Sequence, residues 1–428
     1  MEEIRNVIDN KLRNIKHATI PYNEKWKTKK GDSIPVVTYS FPQSIPSNYY
    51  YYELNHKIPI SSLNQLQIDQ AKSTFRNISD VANISFTEVK YTEVKYTEVK
   101  YTEVKYTEVN IPIVNFHPEN YISVGGFAYY PNAGEFTPVC INADVSENLA
   151  PTHLNSGGHV IVHELLHAVG LKHTHNTVQL TQQYSVMSYL SEQYSDANYG
   201  EYHVSTPQLY DIAALQYLYG ANMNTRIGND IYTYSSNTPI LCIWDAGGID
   251  TFDFSDQTQD LVINLAAGSF SNVGRLTGNI SIAYGTTIEN AVGGRGDDKI
   301  IGNDADNILT GGYGADQLWG KNGRNIFYYL NTKDSTTTAA DTLHDFNVNK
   351  DKIDLSPLIY ANDNVALVDR FSFSGQTEIM QKYDEIRNIT YLMIDFDNNV
   401  HETDMMIKLT GKHQLLLNNF IVNTPLIA

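Results

Sequence analysis

Cysteine is scarce in this chain. Cys140 and Cys242 are the two present in 428 residues, too few for a disulfide framework, and they read as small buried side chains. Long apolar runs are missing as well. Nothing approaches eighteen consecutive apolar residues, which excludes a spanning helix. The opening residues, MEEIRNVIDNKLRNIKH, lack the apolar core of a secretory signal. The expectation is therefore a cytosolic protein, or one exported by a route that does not read the N-terminus. Ile4, Val7, Ile8, Leu12 and Ile15 instead fall near one helical face, so residues 1–19 read as an amphipathic, pro-segment-like helix. Charged residues make up only 18% against 42% hydrophobic, a balance that excludes a disordered chain or a coiled coil. Positive charge is in deficit: 30 Lys+Arg stand against 48 Asp+Glu, a net −18, which argues against nucleic acid as a partner. Residues 1–220 hold 16 basic and 22 acidic side chains, and residues 221–428 hold 14 and 26. An acidic half of this kind either tolerates self-repulsion or binds cations.

Strands are expected at 34–40, 81–86, 127–131 and 137–142, and a helix over 61–80. Residues 87–109 carry five tandem copies of TEVK or TEVN separated by single tyrosines. A period of five gives no constant face in a strand or a helix. The segment reads as an elongated surface insertion, tolerated as a duplication or used to touch a partner or long substrates. A helix is expected from about Ser156, its N-cap, to Gly170, and another over 206–219. Beyond Gly220 helical periodicity disappears and Gly, Asp and Asn become frequent, so the boundary between two domains, 20–220 and 221–428, is placed there.

Residues 163–173 read HELLHAVGLKH. His163 and His167 are four apart and project from one helix face, a spacing that suits two ligands of one zinc ion. Glu164 is offset so as to reach a water rather than the metal. Gly170 breaks the helix, so His173 can come round as a third ligand. Three nitrogen ligands leave an open position, the catalytic rather than the structural arrangement. His153, His159 and His175 are read as ordinary histidines.

From residue 293 the chain repeats with period nine: GGRGDDKII, GNDADNILT, GGYGADQLW, GKNGRNIF. Ile300, Leu309, Leu318 and Phe327 hold the apolar position. The pattern matches the GGxGxDxUx repeat of calcium-binding parallel β-rolls. Glycines permit tight turns that expose carbonyls, and aspartates complete an oxygen shell for a hard cation. Gly294, Gly296, Asp298, Gly312, Gly314 and Asp316 form one strong candidate site. The alternate turns carry Asn307 and Asn325, with Asp304 as the candidate ligand, and predict a weaker or absent site.

HELLHAVGLKH followed by SVMSY (185–189) resembles the metzincin metalloproteases, and specifically the serralysins. The resemblance implies an α+β metzincin catalytic domain followed by an all-β domain, a parallel β-roll plus β-sandwich. It implies one catalytic Zn²⁺ held by His163, His167 and His173, with Tyr189 as a displaceable ligand that stabilises the transition state. Glu164 becomes the general base, Met187 the floor of the Met-turn, and Phe127, Ala128, Tyr129 and Tyr130 the substrate-binding edge strand. Several structural Ca²⁺ ions are implied, with Arg226, Gly228, Asp230, Asp245, Gly247, Gly248, Asp250, Thr287 and Glu289 as further ligands. The implied partners are protein or peptide substrates, a type I secretion machinery reading the C-terminus and a small periplasmic protein inhibitor. The implied protein is a monomer, secreted by a bacterium. Three departures stand out: a short roll of four recognisable turns with a degenerate last one, the TEVK array, and a C-terminus without the usual acidic residue before its last hydrophobics. The rival readings are a calcium-dependent surface-binding protein with an inert protease domain and a virulence protease of narrow specificity.

Overall fold

The computed structural model describes residues 19, 24–43, 50–53, 56–90, 109–118, 124–131, 137–174, 180–234, 239–359, 364–372, 376–396 and 403–422. The expected N-terminal helix, most of the TEVK array, His175 and the last six residues of the candidate secretion signal lie outside them. The backbone separates into two compact units: Met1–Thr225 with Ile240–Ala246 and Ala283–Gly285, and Arg226–Pro239 with Gly247–Ile282 and Thr286–Ala428.

In the first unit the described strands are β1 (Val36–Ser40), β2 (Tyr50–Glu53), β3 (His56–Ser61), β4 (Ser85–Glu88), β5 (Ile111–Phe116), β6 (Gly126–Ala128) and β7 (Val139–Asn142). All six residues of β5 are buried, and β5 pairs with β1, β3 and β7. β4 lies parallel to β1. β6 runs antiparallel to β7 and pairs with no other described strand. It is three residues long, shorter than the five expected.

Helix α1 (Gln65–Val81) starts at a capping box between Asn64 and Gln67 and buries Ile68, Ala71, Phe75 and Ile78, the spacing of a helix laid on a core. Short α2 (Ser146–Leu149) precedes α3 (Ser156–Ala168). The N-cap of α3 is Asn155 rather than Ser156: the Asn155 side chain accepts from the Gly158 amide at 2.9 Å. Gly157 and Gly158 are required here. A Cβ on either would sit 1.9 Å from a backbone carbonyl oxygen, of Glu147 and Thr152 respectively. Gly170 ends this region at φ +100°, and Leu171 N–H bonds back to Leu166 O at 3.0 Å. Helix α4 (Leu209–Tyr219) begins three residues later than the apolar spacing predicts, because Gln208 and Asp211 close a capping box there.

In the second unit the nine-residue repeats alternate between two parallel sheets. Asn290–Val292, Ile308–Thr310 and Ile326–Tyr328 pair in one, with an 18-residue register. Lys299–Ile301 and Gln317–Trp319 pair in the other. Ile300, Leu309, Leu318 and Phe327 are all buried between them, as one large apolar residue per repeat requires. The first sheet extends through Thr251–Asp253 to Ile231–Tyr232 at one end and through Lys352–Asp354 to Phe420–Ile421 at the other. The second continues from Asp341–Leu343 into Met405–Thr410, Ile389–Asp395 and Thr377–Asp384, where pairing becomes antiparallel.

Candidate active site

Helix α3 carries His163 and His167 one turn apart, and the break at Gly170 returns His173 to them. His173 Nε2 lies 3.0 Å from His163 Nε2 and 2.9 Å from His167 Nε2. The other ring nitrogens are tied to carbonyls: His163 Nδ1 donates to Val186 O at 3.0 Å and His167 Nδ1 to Leu171 O at 2.7 Å. A carbonyl only accepts, so in both rings the proton is on Nδ1 and Nε2 presents a lone pair. Burial holds the His163 ring well below its usual pKa and lowers His167 to about 4, so both rings are neutral. Neutral imidazole lone pairs aimed at one point repel one another unless a cation stands among them. Tetrahedral zinc, bonding nitrogen at about 2.0–2.1 Å, holds its ligands about 3.3 Å apart. The donor set therefore fits zinc in number, chemistry and spacing.

Glu164 is buried, and that burial pushes its carboxyl up to about 8. It packs directly against β6: a Cβ on Gly126 would come 2.7 Å from Glu164 Cγ and 3.1 Å from Cδ. The Tyr189 hydroxyl lies 2.8 Å from His173 Nε2, and its ring stacks on His163 with centroids 5.7 Å apart. Burial, then the Glu164 charge, raise the Tyr189 hydroxyl above its usual range, which keeps it a donor. Met187 is fully buried. On β6, Phe127 turns toward Phe116 and the core. Tyr129 is exposed, and Tyr130 meets the His167 ring edge-on at 5.6 Å. His159, read as ordinary, is half-buried with Nδ1 on Val204 O at 2.7 Å and is not one of the three converging imidazoles. His153 is exposed.

In the second unit the residue preceding each parallel strand forms a ladder. On one flank of the repeats, Leu261 N–H donates to Asp298 Oδ1 (2.8 Å), Asp298 N–H to Asp316 Oδ1 (2.7 Å) and Asp316 N–H to Asp341 Oδ1 (2.9 Å). Asp316 Oδ2 is buried without a hydrogen-bond partner. Burial raises the pKa of all three, Asp298 to about 6; neighbouring acids add to the shift, Asp260 and Asp297 at Asp298, Asp298 and Asp297 at Asp316, and Asp316 at Asp341. The Gly294 amide donates to Asp298 Oδ2. A Cβ on Gly312 would come 2.2 Å from Gly294 O, and one on Gly314 2.1 Å from Gly296 O.

On the opposite flank, Asp230 N–H donates to Asp250 Oδ1 and Asp250 N–H to Glu289 Oε2, both at 2.8 Å. Gly248 lies so close to Gly228 that a Cβ would meet its carbonyl at 1.8 Å. Arg226 has φ +48° and Gly247 +143°. Thr287 is exposed, and Asp245, in the first unit, is buried. The next rungs are amides. Asn307 N–H donates to Asn325 Oδ1 at 3.2 Å and Asn325 N–H to Asp351 Oδ1 at 2.9 Å. Asn307 Nδ2 donates to Glu289 O and to Asn303 Oδ1, each at 2.9 Å. Asp304 is exposed and accepts from Asn322 Nδ2 at 2.7 Å, so it is not brought to this ladder. Sequence reasoning missed Asp341 and Asp351. Each directly precedes or opens a strand, but neither falls on the nine-residue period.

Chemistry of this kind belongs to the metalloendopeptidases. Residues 210–422 match the family model described as Peptidase M10 serralysin C terminal. Metalloprotease AprA of Pseudomonas entomophila is 36% identical over 90% of this chain and 85% of its own length. Serralysin C of Dickeya chrysanthemi is 38% identical over 82% and 78%, and serralysin of Proteus mirabilis 35% over 88% and 85%. The chain belongs to the serralysin family, and it is a metalloendopeptidase.

Proposed function

We propose that the protein is a secreted zinc endopeptidase in which Glu164 is the general base and calcium stabilises the C-terminal unit. The observation that carries this is the convergence of three imidazole Nε2 atoms beside a buried glutamate that packs against β6. His163, His167 and His173 would hold the zinc. When bound, zinc lowers the pKa of a water toward neutrality and polarises the scissile carbonyl. Glu164 accepts the proton of the attacking water and delivers it to the leaving amine; a carboxyl shifted toward neutrality suits both transfers. Tyr189 donates to the carbonyl oxygen as negative charge develops on it. Met187 floors the site.

A peptide substrate adds to β6 through main-chain hydrogen bonds, with Phe127 and Ala128 contributing backbone and Tyr129 and Tyr130 contributing side chains. This mode favours broad sequence tolerance over the narrow specificity of a dedicated virulence factor. The intact ligand trio and Glu164 count against an inert, purely calcium-dependent binding protein. Export by a type I machinery, control by a small periplasmic inhibitor and a monomeric state belong to the same proposal. So do the division at 220/221 and the arrangement of the C-terminal half as a roll and sandwich.

Two tests address the site. Stripping zinc with a chelator abolishes cleavage of casein and stoichiometric zinc restores it; cleavage that survives complete stripping refutes the reading. Gly126→Ala forces the Glu164 side chain or the β6 backbone to move. A displacement near 1 Å at a catalytic group costs up to roughly 10²-fold. A fall of that order in kcat, with zinc content unchanged, is expected from steady-state kinetics and metal analysis.

For calcium, the three-aspartate flank with Gly294, Gly296, Gly312 and Gly314 is the favoured site in the repeats, and Asp230, Asp250 and Glu289 provide another set of carboxylates. Asn307 and Asn325 disfavour one between them. The side-chain Nδ2 of Asn307 donates to Glu289 O and Asn303 Oδ1, and an amide nitrogen that donates has no lone pair to offer a cation.

A further inference from the structure

We propose that Asp211 is a positioning residue for the ligand His163, acting through a continuous line of hydrogen bonds across the Met187 turn. This rests on reading His163, His167 and His173 as the zinc ligands. The line runs in one direction. His163 Nδ1–H donates to the Val186 carbonyl at 3.0 Å. The N–H of that same peptide unit, on Met187, donates to Ser185 Oγ at 3.1 Å. The Ser185 hydroxyl donates to Asp211 Oδ1 at 2.6 Å. His163, Val186, Met187, Ser185 and Asp211 are all buried, so water does not interrupt the line.

Asp211 cannot turn away from it. Its other oxygen, Oδ2, accepts from Val186 N–H at 2.8 Å and Gln208 N–H at 2.9 Å. Capping of α4 requires only the Gln208 bond. The bonds to Ser185 and Val186 lie beyond what a cap needs, and they reach back 26 and 25 residues to the turn. Hydrogen bonds that all donate toward one carboxylate polarise one another. The effect at the far end is to fix the Nδ1–H tautomer of His163 and to make Nε2 a stronger electron donor, the role that carboxylates often fill directly behind metal-bound histidines. Here a peptide unit and a hydroxyl stand between. His167 has a carbonyl, Leu171 O, behind it, so the two helix-borne ligands differ in how they are supported. The same turn also holds the third ligand's segment, through Thr174 N–H on Met187 O at 3.3 Å.

Two substitutions separate this role from simple capping. Ser185→Ala removes the middle link and leaves both backbone bonds to Asp211 in place. Asp211→Asn keeps one carbonyl oxygen for Val186 and Gln208, but turns an N–H toward Ser185 and so reverses the hydroxyl. The full chain is titrated with zinc against a chromophoric chelator, and the visible spectrum of the cobalt-substituted protein is recorded. Melting of the zinc-free protein gives fold stability separately. Both variants should bind zinc roughly 10- to 100-fold more weakly and shift the cobalt bands, with Ser185→Ala lowering zinc-free melting only by the loss of one buried hydroxyl's bonds. A zinc affinity and cobalt spectrum unchanged in Ser185→Ala overturn the proposal, even if Asp211→Asn fails to fold. Failure of the wild-type chain itself to take up zinc would instead refute the ligand assignment.

Discussion

Glu164→Gln lowers kcat/KM for protein substrates by roughly 10²- to 10⁴-fold, the range a general acid–base group contributes, while zinc content stays at the wild-type level. The amide is almost the same size as the carboxylate, so the packing against Gly126, where a Cβ would lie 2.7 Å from Glu164 Cγ, is retained. What disappears is the capacity to hold a proton between the water and the leaving amine. Burial raises the Glu164 carboxyl to about 8, which shows that the site offers little solvation to charge there. A cation among the three imidazoles would draw that value back down by favouring the carboxylate. The acidic limb of the pH–rate profile should therefore follow this group in the loaded enzyme and vanish in the variant. Caseinolysis at wild-type rate in zinc-loaded Glu164→Gln would refute the mechanism.

The second large effect is on stability. Removing calcium from the full chain should lower its melting midpoint far more at pH 8 than at pH 5. Asp298 is raised to about 6, and Asp316 and Asp341 are raised too, by burial and by neighbouring acids. An unfolded aspartate titrates near 4. The folded, ion-free chain therefore holds protons that the unfolded chain has released. The stability linked to those protons is complete below about pH 4 and is lost as pH rises through the raised values. Under the calcium proposal the ion would take over from the protons at neutral and alkaline pH, so its removal should be felt most there. Calorimetry on the Glu164→Gln background, which prevents self-digestion, measures both midpoints. Equal midpoints with and without calcium at pH 8 would overturn the calcium proposal.

The candidate zinc ligands were legible because they are local: two histidines at helical spacing, a glycine break and a third histidine. The serralysin resemblance was legible for the same reason, through SVMSY shortly after. Asp211 was not. Its sequence signal is a helix start, and nothing nearby in the chain points to Ser185, 26 residues earlier. The helix α3 cap was misplaced by one residue because Asn155 and Ser156 are both good caps; the two glycines that follow fit tightly against carbonyls, a tertiary constraint invisible in the local pattern. Repeats at period nine exposed Asp298, Asp316, Asn307 and Asn325. Glu289 stands one period before Asp298, and Asp230, Asp250, Asp341 and Asp351 extend the same ladders at irregular spacing, because loops of different length separate the strands.

The contrast between the two flanks bears on the order of assembly. On the asparagine side, Asn307 N–H meets Asn325 Oδ1, a rung that carries no net charge, so the two strands it joins can find their pairing before any ion arrives. That seam can serve as a nucleus, with most of the loop closure between neighbouring coils already accomplished. On the calcium proposal, cation uptake would then close the opposite, aspartate seam against a register already set. The ion would act as a latch on a preformed stack rather than as the template for it.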